Sequence, residues 1–148
     1  MTAQFLLALA AIAIGGACIS MQAPINARLG GHLGDPVAAA AVSFGVGFLV
    51  LAAATVVKGS VPGLAQAGAA PWWAWVGGAL GAVYVWAAAW SVGTLGVVTM
   101  VAALVFGQLL AALAIDAVGA FGLQVREVSW TRIAAVGFVG VGLLLSRL

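Results

Sequence analysis

The stretch "FLLALAAIAI", residues 5–14, has no polar side chain and no alternation of apolar with polar positions. A strand of a membrane barrel alternates lipid-facing apolar with lumen-facing polar residues, so this run reads as helix. The apolar block around it covers residues 3–23, matching the about 20 residues that a helix needs to cross a bilayer core. No basic residue precedes it and a second apolar block follows closely, which predicts a spanning helix and not a secretory signal.

Working outward, four more blocks of similar length lie at residues 36–57, 72–92, 96–118 and 131–147. Hydrophobic residues make up 66% of the 148 positions and charged residues 5%, and the mean hydropathy is +1.26. Soluble domains are about 45–50% apolar. The chain therefore reads as an all-α integral membrane protein, a single five-helix transmembrane domain over residues 1–148. Its connections are too short for a soluble domain with a core of its own, so any activity belongs to the helices and their ends.

Several classes are disfavoured. Cys18 is the only cysteine and His32 the only histidine, too few for a three-ligand zinc site without unusual partners. No intramembrane pair of carboxylates suits proteolysis, and no basic run suits nucleic acid. The expectation is a non-enzymatic chain with no cofactor, no metal and no nucleic-acid partner.

Helix starts are marked chemically. Asp35 before Pro36 suits an N-cap with proline in the first turn. Pro71 plays the same part before Trp72, Trp73 and Trp75, whose indoles suit the water interface. "KGSVPGLAQAGA", residues 58–69, reads as loop, and "SVGTLG", residues 91–96, forces a tight hairpin. Gly77 and Gly81 form a GxxxG pair, and Gly137, Gly140 and Gly142 crowd the last block. In lipid such glycines let helix backbones approach.

Basic residues are nearly balanced between the two sides. With the N-terminus on one side, Lys58, Arg126 and Arg132 share it, while Arg28 and Arg147 fall opposite. Orientation follows an excess of Lys and Arg in cytoplasmic loops, so a difference of one instructs weakly. Two copies in opposite orientations would make a ten-helix inverted repeat of the kind secondary transporters use. An antiparallel homodimer is the expectation.

Polar positions inside the blocks are the candidate site. "QAPINARLGG", residues 22–31, sets Gln22 and Asn26 one helical turn apart, with Gly15 and Cys18 continuing the stripe. Pro24 removes a helical hydrogen bond and frees the Ser20 carbonyl. A broken helix end bearing amides suits a substrate site, although the two amides could equally bond across helices. Arg28 and His32, also four apart, read as solvated at the interface or as an anion-attracting mouth. Gln108 sits mid-span, where an unpaired amide is costly, and should face the protein interior. Asp116 either binds a cation or proton, pairs with Arg126 or Arg132, or caps the turn that follows. Trp86 and Trp90, with Tyr84 close by, line a pocket, fill helix contacts or face lipid.

The stretches at residues 21–51, 77–122 and 132–147 resemble the small five-helix inner-membrane exporters of bacteria, the YdcZ-like branch of the drug/metabolite transporter superfamily. The Q-x-x-x-N helix, the "YVW" helix and the "GQLLAALAIDAVGAFG" ending carry the likeness. It implies a multi-pass inner-membrane transporter whose members occur as dual-topology homodimers, paired genes or fused ten-helix proteins. The family's recurring polar positions fall on Gln22, Asn26, Gln108 and Asp116. Related small multidrug-resistance proteins carry a glutamate in helix one, where this chain reads "ALAAIAIGG". Proton-coupled cation export by that route lacks its acid here.

Combined, these readings predict export of a small organic solute by alternating access. Gln22, Asn26 and Gln108 would line a central cavity, Tyr84 and Trp86 would wall it, and Asp116 and Arg28 are candidates for coupling or gating. An acid-free centre fits a neutral, zwitterionic or anionic solute. Expected partners are that solute, membrane lipid and a second copy; the rival is a non-transporting subunit of a larger complex.

Overall fold

A computed structural model describes residues 2–148, which form helices joined by turns, with no strand among the described residues. The helices are α1 (Ala3–Leu33), α2 (Pro36–Val57), α3 (Val61–Leu64), α4 (Val76–Leu95), α5 (Val97–Val118) and α6 (Trp130–Leu145). Helices α1, α2 and α5, and α4 counted from Trp72, are long and apolar enough to cross a membrane. With 16 residues, α6 is about 24 Å long, short of the roughly 30 Å hydrocarbon core.

The chain divides into two compact units, residues 1–93 and 94–148. In the first, α1 and α2 form a hairpin around two residues. Gly34 closes α1 in the left-handed region at φ 73°, where a residue without Cβ is unstrained. Asp35 then caps α2 as expected, its carboxylate accepting from the Val37 and Ala38 amides at 3.0 and 3.1 Å, with Pro36 in the first turn. The buried residues are small: Ala23, Asn26 and Gly30 on one face of α1, Ala39 and Ala40 on α2. A Cβ at Gly30 would lie 3.5 Å from the Pro36 Cα. That is the close backbone packing on which lipid-embedded helices rely.

The end of α1 differs from the sequence reading. Instead of ending near residue 23 with a break at Pro24, α1 runs unbroken for 31 residues. Proline's fixed φ is compatible with a helix, so α1 continues through Pro24 without the one hydrogen bond that its missing N–H cannot make. The neighbouring Ser20 hydroxyl folds back onto the Gly16 carbonyl at 3.0 Å.

The expected loop at residues 58–69 coils into α3 and a 3-10 turn at Ala67–Ala69. Pro71 precedes a 3-10 turn of Trp72–Trp75, and regular α-helix starts only at Val76. Of the GxxxG pair, Gly81 packs on the Phe44 ring of α2, whereas a Cβ at Gly77 would meet nothing within 4 Å. Gly96, at φ 74°, alone separates α4 from α5, because α4 runs on to Leu95, past the expected end of the third block at residue 92.

In the second unit α5 packs on α6. Gly140 lies against Phe106, at 3.0 Å from where its Cβ would stand, while Gly137 and Gly142 face open space. At one end of the pair the Thr99 hydroxyl donates to the Ser146 carbonyl at 3.1 Å. At the other, Gly119 (φ 62°) turns the chain, and a Cβ there would stand 2.7 Å from Val125 Cγ2 and 2.8 Å from the Leu123 carbonyl. The Arg126 amide closes this turn on the Asp116 carbonyl at 2.8 Å.

Candidate functional site in the first unit

The first unit holds an open groove of about 470 Å3 between residues of α1, α2 and α4. That volume suits a small organic ligand. Phe44, Phe48, Leu51 and Val85 supply apolar walls, and Gly47 and Gly81 leave room between them. Polar atoms come from three side chains, Gln22, Ser43 and Tyr84. Each arrives by helical spacing. Gln22 lies three positions beyond Ile19 on the same stripe of α1, and Ser43 and Gly47 lie one turn apart on α2. Tyr84 stands three positions beyond Gly81 on α4.

The Gln22 amide donates to the Ser43 hydroxyl at 3.3 Å across the α1–α2 contact. This uses one of its two N–H groups and leaves its carbonyl oxygen available. All three polar side chains are half-buried, and no charged residue lines the groove. Such a surface can hold an apolar body and bond one or two polar groups on it, but has no fixed charge to attract an ion.

Asn26, one turn from Gln22, is 3% exposed, and its side-chain N–H2 group has no partner among the described residues. Trp86 stands two positions from Tyr84 and so turns about 200° away. It stacks on Trp90 with ring centroids 6.2 Å apart and does not line the groove. Gln108, expected to face the protein interior, is exposed on α5.

Asp116 and Arg132 form an ion pair at 2.5 Å beside a small, largely apolar cavity of about 150 Å3 lined by α5 and α6 residues. Of the sequence alternatives for Asp116, pairing with Arg132 is therefore the one present. Arg28 and His32 line a shallow pocket at the end of α1. His32 Nδ1 lies 2.9 Å from the Arg28 carbonyl; a carbonyl only accepts, so that nitrogen carries the hydrogen.

Sequence reasoning missed Ser43, Phe44 and Phe48. A signal was available, since "SFGVGF" holds a lone hydroxyl and two phenyl rings one turn apart inside an apolar block. No group of His, Cys, Asp or Glu among the described residues could hold a metal ion.

A family model described as "Putative inner membrane exporter, YdcZ" matches residues 6–145. The chain belongs to the YdcZ family. The YdcZ match takes in both units, and with them the groove and the Asp116–Arg132 pair. Together with the apolar helices it makes the chain a multi-pass protein of the inner membrane. No curated protein and no solved structure matches the chain.

Proposed function

We propose that this YdcZ-family chain exports a small neutral organic solute with an apolar body, held in the groove of the first unit during transport. The observation that carries this reading is the meeting of Gln22 and Ser43 in an apolar groove without charge. A charged solute would leave water without a counter-charge to meet it, which is costly in a low-dielectric site. A neutral one surrenders little hydration, and its donor or acceptor bonds the Gln22 carbonyl oxygen or the Tyr84 hydroxyl.

The transport cycle is alternating access in an antiparallel pair of chains. The near-balanced basic residues, Lys58, Arg126 and Arg132 against Arg28 and Arg147, support insertion in both orientations. Two groove-bearing units related by an axis in the membrane plane would then expose equivalent sites to opposite sides. Within the first unit Asn26, one turn from Gln22, is a further polar position along the path, with Arg28 toward the end of α1.

The test is flux through purified protein in proteoliposomes, using radiolabelled neutral, cationic and anionic metabolites. The expected result is saturable flux of neutral solutes that falls at least tenfold in Gln22→Ala, with the protein still folded. Flux restricted to charged solutes overturns the assigned substrate class. No flux across the panel moves the assignment to a non-transporting membrane subunit.

A further inference from the structure

Gln108 lies near the middle of α5, is exposed, and makes no side-chain hydrogen bond among the described residues. The face of α5 that packs on α6 begins to one side of Gln108. Phe106 meets Gly140, and Leu109, Ala112, Leu113 and Asp116 line the cavity shared with Arg132 and Val136. At 100° per residue these positions all lie to one side of Gln108, from roughly 40° at Ala112 to roughly 160° at Phe106, which leaves the other side of Gln108 uncovered by α6. On that other side, about 60–120° around the helix, the exposed surface carries Ala111, Gly107 and Ala114, and a Cβ at Gly107 would meet nothing within 4 Å.

An amide left facing hydrocarbon has no water to bond, so a lipid-facing Gln108 is unfavourable. A second copy of the chain fits better, because an amide carries donors and an acceptor and so complements itself. Position along the helix sharpens the argument. α5 runs from Val97 to Val118, so its midpoint falls between Gly107 and Gln108. When two identical helices cross antiparallel at their midpoints, each residue is displaced from its own copy by twice its distance from the midpoint. At 1.5 Å per residue that is about 1.5 Å for Gln108 but about 25 Å for Asp116. Gln108 is thus the polar residue of α5 able to meet its own copy in such a crossing, and the small side chains beside it allow the backbones to come close.

We infer that two copies of the chain pack α5 against α5 across an axis in the membrane plane, with the two Gln108 amides hydrogen-bonded to each other on that axis. This rests on the antiparallel reading above and adds the contact through which it is made. The Asp116–Arg132 pairs of the two copies then lie toward opposite membrane surfaces.

The test uses full-length protein carrying Cys18→Ala, with new cysteines oxidised in native membranes. Gln108→Cys is expected to cross-link to its own copy, and differently tagged Val97→Cys and Val118→Cys copies to cross-link to each other. In a dilution series in lipid, Gln108→Leu should weaken association about three- to eightfold, the loss of one or two intramembrane hydrogen bonds. Efficient Val118→Cys self-cross-linking without the mixed pair means a parallel dimer and overturns both this contact and the antiparallel reading. No cross-link on α5, with a Leu148→Cys variant labelled from both sides of the membrane, overturns the contact alone.

Discussion

The carboxylate of Asp116, in the last turn of α5, lies 2.5 Å from the guanidinium of Arg132 in the first turn of α6. With the Arg126 amide on the Asp116 carbonyl, it ties the chain on both sides of the turn at Gly119. The two side chains are 26% and 33% exposed, so solvent moderates the attraction.

Asp116→Asn should therefore lower stability by about 1 kcal/mol, and Arg132→Gln by a similar amount. The double variant should lose less than the sum of the two, because the residues share one interaction. Thermal unfolding in detergent of all four proteins measures the coupling. Strict additivity would show that the pair contributes nothing.

Gly119→Ala combines a left-handed φ with two Cβ approaches below 3 Å, to Val125 Cγ2 and the Leu123 carbonyl. It should destabilise the second unit by about 1–3 kcal/mol. Gly137→Ala, with open space around the new Cβ, should stay within about 0.5 kcal/mol of the parent. Equal melting temperatures for the two variants would contradict the turn geometry.

At Gly30 the α1–α2 contact allows a methyl group, since its Cβ would lie 3.5 Å from Pro36 and 3.7 Å from Ala39. Gly30→Ala should be nearly neutral. Gly30→Leu should cost about 1–3 kcal/mol by forcing the helices apart. Protease resistance in detergent micelles distinguishes them, and a fully stable leucine variant would mean that the hairpin is looser than described.

Tyr84→Phe keeps the ring in the groove and removes its hydroxyl. If that hydroxyl bonds the solute, KM for flux should rise about two- to tenfold, the worth of one neutral hydrogen bond, while kcat stays level. An unchanged KM assigns Tyr84 to the apolar wall only.

Helix content was legible because hydropathy is a local property. Blocks of apolar residues and the Asp35–Pro36 start each act through their immediate neighbours. The misreadings were local compromises. At Pro24 one lost hydrogen bond was outweighed by the continuity of the rest of α1, and at residues 58–69 a predicted loop found short helical turns.

The pairing of polar residues was not legible. Gln22 finds Ser43 across 21 positions and Asp116 finds Arg132 across 16, whereas Trp86, only two positions from Tyr84, turns off the groove. In a soluble helix an apolar stripe reveals the buried face. Here α2, α4 and α5 are apolar nearly all round and α1 shows no distinct apolar stripe, because lipid and protein interior make nearly the same demand on a side chain. The sequence by itself thus determined where the helices run and that they belong in a membrane. Only the tertiary structure decided which faces meet, because close packing of glycine and alanine, not hydrophobicity, selects the contacts between helices in lipid.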